Sequence, residues 1–243
     1  MSNLAKELQR LQQNFQQVKL RVAEAAKRSG REMSDVKILA VTKLKSVETI
    51  RTAYMAGMRT FGENYVEETL PKMEVLSDLT DIRWDMIGHV QSRKAKQVAN
   101  NFSCVHSLSS EKLARLLDRH RDPELGTLDV LVQVNVSGEA SKQGIEATNT
   151  DDWPIVLGFI QSLKEYAHLK VRGLMTMPPL FDDPEQGRGY FRRLRELKDY
   201  LNLQDKTLNL HELSMGTSND FEIAVEEGAT IIRLGSVLLG SRI

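Results

Sequence analysis

Lys43 closes an apolar run, Val36-Lys37-Ile38-Leu39-Ala40-Val41-Thr42-Lys43, and is the residue in this chain with the plainest chemical use. The run has the length and β-branched content of a buried strand, and a helical pattern follows it. The C-terminal end of such a strand is where open α/β sheets and barrels assemble their sites. Burial disfavours an ammonium, so its pKa falls and the neutral amine becomes a nucleophile for an aldehyde or ketone. A lysine at a strand end also has an ordinary role, laying its alkyl stem along the rim with its head in water. Lys45 shares the strand parity and is the competing amine, but it lies past the expected strand end.

The elements that must position this lysine alternate along the whole chain. Strands are expected at 36–42, 59–61, 82–87, 103–106, 129–136, 170–175, 212–214 and 230–234. Helical patterns fill the intervals, at 47–56, 66–76, 93–98, 111–119, 153–166, 190–201 and 220–227. Ahead of them Leu4, Leu8, Leu11, Phe15, Val18 and Val22 recur at helical spacing, predicting a long amphipathic helix to about Arg28, ended by Ser29-Gly30. Ser46, Ser109 and Asn219 stand at N-cap spacing, and Asn219 with Glu222 forms a capping box. Gly57 and Gly228 stand just past helix ends. Eight strands alternating with helices in 243 residues predict a single-domain α/β protein, a (β/α)8 TIM barrel over residues 1–243 with an extra N-terminal helix. That helix is expected to plug the barrel bottom, pack on its side, or bury its face in a dimer. The loop 178–185 is expected to be a surface excursion.

Composition narrows the function classes. Lys+Arg and Asp+Glu both number 33, and the balance argues against a nucleic-acid partner. The one cysteine, Cys104, cannot form an internal disulfide; it fits a reducing compartment and reads as a packed thiol. No signal-peptide core opens the sequence, and no apolar stretch reaches the ~18 residues of a membrane span, so a cytoplasmic protein without a membrane partner is expected. The five histidines lack metal-ligand spacing and read as structural, so no metal site is expected. Ser109-Ser110-Glu111-Lys112 matches a Ser-x-x-Lys nucleophile pattern, for which a helix cap is the better account.

In a barrel the strand ends form one set. Here they include Lys43, Gly62-Glu63-Asn64-Tyr65, Gly88-His89-Val90-Gln91, Ser214-Met215-Gly216-Thr217 and Arg233-Leu234-Gly235-Ser236. The last two carry glycines and hydroxyls after the seventh and eighth strands, where barrels commonly bind phosphate. An amine opposite a phosphate cup suits a phosphorylated aldehyde, of which pyridoxal 5′-phosphate (PLP) is the obvious one. Asn64 reads either as a ligand or as a left-handed turn residue, and Arg233 either as a ligand or as the partner of a barrel carboxylate such as Glu63.

These segments, with Trp84 to Gln91, Val134 to Glu139, Ser141-Lys142, Arg172 to Thr176 and Val225 to Gly240, resemble the YggS/PROSC family of pyridoxal phosphate homeostasis proteins. That family is related to the N-terminal barrel of alanine racemase, and the matches run in family order along almost the whole chain. The resemblance implies that Lys43 carries PLP as an internal aldimine. It implies that Ser214, Gly216, Gly235 and Ser236 hold the phosphate with Asn64 nearby, and that Arg233 faces the pyridine nitrogen. Arginine only donates, so it cannot support a protonated pyridine, and the electron sink that carbanion chemistry needs is weakened. With the chain ending at Ile243, the racemase's second domain and its catalytic tyrosine are not expected. Several positions depart from the family pattern. Asp85 stands for a histidine, Arg93 for an asparagine, Thr217 and Asn219 for a methionine and an acidic residue, and Thr42 for a serine; Leu44 and Ser46 replace the flanking threonine and proline. The cofactor lysine and phosphate residues of the pattern are kept, and the departures bear instead on functions of the rim, such as partner docking or a second ligand site.

The expectation is a monomeric binding protein for intracellular vitamin B6 homeostasis, holding PLP on Lys43 for PLP-dependent apoenzymes without a turnover reaction of its own. The alternatives are a PLP-dependent amino-acid racemase or decarboxylase and, third, a lyase or aldolase using Lys43 directly.

Overall fold

The branched, strand-forming runs pair side by side in chain order, as parallel strands joined by helices must. The structure, a computed structural model, describes residues 2–240. The expected domain boundaries, Met1 and Ile243, lie outside the described residues. Eight strands form the wall: β1 (Lys37–Val41), β2 (Thr60–Glu63), β3 (Arg83–Met86), β4 (Cys104–Leu108), β5 (Leu128–Asn135), β7 (Leu169–Met175), β8 (Glu212–Ser214) and β9 (Ile231–Leu234). All pair in parallel, and the β4–β5 and β1–β9 pairings close the ring into a (β/α)8 barrel. A two-residue strand, β6 (Ile145–Glu146), pairs in parallel beside Val134 and Asn135 at the end of β5, too short to give a periodic signal in the sequence.

Helices α2 (Val47–Met55), α3 (Val66–Val75), α4 (Ala95–Asn101), α5 (Glu111–His120), α6 (Trp153–Ser162), α7 (Arg188–Gln204), α8 (Phe221–Glu226) and α9 (Ser236–Leu239) surround the wall. Their apolar faces meet the outward strand residues in one continuous core that includes Ala40, Phe61, Trp84, Val105, Val130 and Ile232. Inside the barrel a second, small cluster of Leu39, Cys104, Leu131, Met175 and Ile231 fills the middle layer. Alternation along β1, β4 and β9 assigns neighbouring residues to the two cores.

The N-terminal helix α1 (Asn3–Arg28) packs on the side of the barrel against α2, α8 and α9. Leu11, Val18, Val22, Ala25 and Ala26 are buried there, which resolves the three options left open by periodicity in favour of the side. Ser46 caps α2 as expected. Two other caps differ. In α5 it is Ser110 whose hydroxyl accepts from Leu113 N (3.3 Å), one residue later than Ser109. At α8 no capping box forms: Asn219 donates to Phe181 O, Glu222 pairs with Arg21 of α1, and Asp220 takes the cap position. A long-range ion pair and a loop tether outcompete the local cap. No described helix is long and apolar enough to cross a membrane.

Candidate cofactor site

The side chains at the C-terminal ends of β1, β2, β3, β8 and β9 converge on a cavity of about 340 Å3. It is lined by Val41, Lys43, Asn64, Ile87, Arg233, Gly235 and Ser236, with Met177, Leu180 and Thr217 to Asn219 from two loops. An adjoining cavity of about 250 Å3 shares Val41, Lys43, Gly235 and Ser236 with it and reaches Lys45 and Gly240. Lys43 thus faces both chambers, whereas Lys45 faces only the second and donates to Gly240 O (3.3 Å).

Local structure explains where Lys43 stands. Thr42 is fully buried, its hydroxyl donating to Glu63 Oε1 (2.8 Å). Lys72 of α3 reaches the same spot, donating to Thr42 O (3.0 Å) and Glu63 Oε1 (2.9 Å). The chain then turns sharply through Leu44 at φ 59, the one positive-φ non-glycine among the described residues, whose N–H is held by Glu68 Oε1 (2.7 Å). A leucine in that region stores about 1–2 kcal/mol of strain, of the kind that persists at functional sites because the surroundings over-determine it. Glu63 therefore belongs to the β1–α3 contact and is not the partner of Arg233. Its burial pushes its carboxyl above the ordinary range despite Lys72 and Thr42.

Arg233 is buried in the barrel throat, donating from Nη1 to Ser214 Oγ (2.7 Å) and from Nη2 to Thr176 O (2.9 Å). Burial lowers its pKa to about 10, against the weaker opposing pull of Asp220, so it stays cationic at neutral pH. Ser214 lies beneath the cavity, not on its wall: its hydroxyl is fully buried, between Arg233 and His106 Nδ1 (3.0 Å), because β8 ends with that side chain turned inward. Ser218, which the sequence reading passed over, takes the wall position. Its Oγ accepts from Gly235 N (3.1 Å) and Val237 N (3.4 Å), the N–H groups that a phosphate oxygen would engage. No strand or helix period marks Ser218, which lies in a loop; only the fold brings it over Gly235.

Asn64 has ordinary negative φ, so it is not a left-handed turn residue, and its Oδ1 is buried without a hydrogen-bond partner. Asn64 lines the cavity, and a buried acceptor without a partner is one that a ligand donor could satisfy. Gly88 lets the Asn64 backbone pass closely, since a Cβ there would fall 2.3 Å from Asn64 O. Gly216 forms the turn below the cup at φ 89, with its carbonyl held by Arg233 N (3.0 Å). The loop after β7 is the surface excursion expected, with no residue of 178–185 buried, and it also edges the cavity. Met177 and Leu180 line the cavity, and Asn219 and Lys142 tie the loop down through Phe181 O and Pro178 O.

A parallel eight-stranded barrel with an amine, a throat arginine and a small-residue cup at its C-terminal mouth defines the class. The family model for the alanine racemase N-terminal domain matches residues 7–243, and the chain belongs to that family. Its relatives include the pyridoxal phosphate homeostasis proteins of Aquifex aeolicus and Pseudomonas aeruginosa. The first is 40% identical over 222 residues, covering 91% of this chain and 94% of the relative. The second is 41% identical over 230 residues, covering 95% of each. The solved structure of PipY from Synechococcus elongatus with PLP bound superposes with TM-score 0.77 at 34% identity, covering 90% of this chain and all of that one.

Proposed function

We propose that the cavity holds PLP covalently on Lys43, and that the protein carries the cofactor in intracellular PLP homeostasis without a turnover reaction of its own. The carrying observation is the convergence in one cavity of Lys43, the Arg233 guanidinium, the orphan Asn64 amide and the Gly235-Ser236 turn under Ser218. When bound, PLP supplies an aldehyde that condenses with a primary amine with loss of water, and a ring that withdraws electrons when its nitrogen is protonated. The chain's own residues set the rest. Lys43 lines the cavity together with Arg233 and would supply the amine. Gly235 and Val237, whose N–H groups now donate to Ser218 Oγ, would offer them to the phosphate. Arg233, cationic at neutral pH and able only to donate, would hold a ring nitrogen that keeps its lone pair.

The same lining argues against turnover. Apart from Lys43 and Arg233, the described residues of the 340 Å3 cavity include no carboxylate, imidazole or phenol within its walls. A racemase or decarboxylase needs a base within reach of the substrate's α-carbon, and Lys43 is consumed by the linkage. PLP-dependent apoenzymes are the recipients this reading implies, a single chain being the delivering unit.

Borohydride reduction after incubation with PLP, followed by peptide mass mapping, tests the site. A phosphopyridoxyl group on Lys43, absent from Lys43→Ala, is the expected result; an adduct spread over surface lysines refutes it. Deuterium exchange at the α-carbon of a panel of amino acids should not exceed that of free PLP, and a substrate that exchanges faster would install the racemase reading instead.

A further inference from the structure

The barrel has a second mouth. At the N-terminal ends of the strands a cavity of about 490 Å3 enters the interior, lined by charged residues and, at its floor, by Asp85 and Cys104. The other charges at its entrance pair among themselves, Lys37 with Glu212 and Arg172 with Asp129 (2.7 Å), while Arg83 reaches inward to Asp85 (3.0 Å). Below them the Asp85 carboxylate, the Cys104 thiol and the His106 imidazole meet, their donor atoms all within 4.8 Å of one another and the three residues buried. Asp85 Oδ2 lies 3.2 Å from His106 Nε2. Cys104 and His106 are two apart on β4, a strand spacing that turns both inward and that no helical or finger-type ligand motif would show.

We propose that Asp85, Cys104 and His106 form a binding site for a divalent transition metal of the zinc type, entered from the N-terminal mouth. One oxygen, one sulfur and one nitrogen donor are the set zinc and cobalt accept, and a tetrahedral ion asks for donors about 3.3–3.6 Å apart, a spacing inside the 4.8 Å that bounds the present triangle. The cavity supplies the two things a buried triad lacks, an entry path and room for water as fourth ligand.

The outer partners suit a metal centre as well. Arg83 holds Asp85 Oδ1 and leaves Oδ2 for the ion, and Ser214 holds His106 Nδ1 and leaves Nε2 for it. On binding, the Cys104 sulfur gives up its proton to water in the cavity, and the thiolate and carboxylate offset the two charges of the ion. His106 must then carry its remaining proton on Nδ1 and donate it to Ser214 Oγ. That hydroxyl already accepts from Arg233, so occupation of the lower site is felt one hydrogen bond from the upper cavity.

Cobalt(II) titration of the full-length, reduced protein tests this. Difference spectra with and without cobalt should show one ion per chain, with tetrahedral visible bands and a sulfur-to-cobalt transition, both removed by zinc. Cys104 is the only cysteine of the chain, so any sulfur-to-cobalt band identifies it without a variant. Cys104→Ser should abolish that band, and Asp85→Asn should weaken binding 10- to 100-fold, with folding of each verified by thermal melting. No stoichiometric uptake by the wild-type protein, or uptake without a sulfur transition, overturns the proposal and leaves Asp85 as a structural partner that orients His106.

Discussion

At the scale of single residues, the site is governed by positions where only one side chain fits. Gly216 is the clearest. Its φ of 89 is unfavourable for any L side chain, and an added Cβ would lie 2.6 Å from Ala224 Cβ and 3.1 Å from Phe221 Cα. Gly216→Ala should therefore destabilise the fold by about 1–3 kcal/mol, read as a lower urea midpoint. Because Gly216 O also accepts from Arg233 N, PLP affinity should fall with it; an unchanged midpoint would show that the turn relaxes freely. Arg233 illustrates the opposite case, a residue whose identity is legible in sequence but whose state is not. Burial at full depth moves its pKa to about 10, yet its donors are satisfied by Ser214 and Thr176, and the charge survives at neutral pH. Lys43, Asn64, Arg233, Gly235 and Ser236 were identified in the sequence as strand-end residues and do share the cavity. Ser218 was missed and Ser214 placed one layer too high, since a strand-end assignment good to a residue or two does not tell which hydroxyl faces the mouth.

At the scale of elements, α7 and α8 are joined by an ionic cluster. Arg188 pairs with Glu185, Glu226 and Glu227, and Arg192 and Arg195 also reach Glu227. Burial raises the pKa of Glu226 and Glu227, but the arginine hydrogen bonds outweigh it, and both carboxyls sit below the ordinary range. A carboxyl depressed in the folded state binds fewer protons there than in the unfolded chain. Its stabilisation is complete above the unfolded value of about 4.3 and is lost as pH falls through the folded one. Stability measured by denaturant between pH 5 and pH 3 should fall more steeply for wild type than for Glu227→Gln; equal slopes would show that the cluster contributes nothing to acid lability. Glu63 acts in the other sense: with its pKa raised by burial, its protonated form suits the fold, and its contribution weakens as pH rises. The caps show what sequence patterns miss at this scale. Ser46 forms the expected bond, while Asn219 and Glu222 serve a loop and α1, partners far away in the chain.

At the scale of the whole molecule, α1 is a staple across the seam where the ring closes. It lies over α2, which follows the first strand, and over α8 and α9, which flank the last. Leu11 is fully buried there, so Leu11→Ala should cost about 2–5 kcal/mol, measured by chemical denaturation with an unchanged m value. A loss below 1 kcal/mol would mean that α1 is only loosely attached.

What the sequence alone determined is the alternation of strands and helices, the amphipathic first helix, the barrel class and the place of Lys43 at a strand end, because each follows from a local period or a strand-end position. Only the tertiary structure decided on which side α1 packs, that Ser218 covers the cup, and that Asp85, Cys104 and His106 meet inside the barrel. Those outcomes depend on which strands become neighbours when the ring closes, and closure joins residues from distant parts of the chain by packing rather than by any spacing along it.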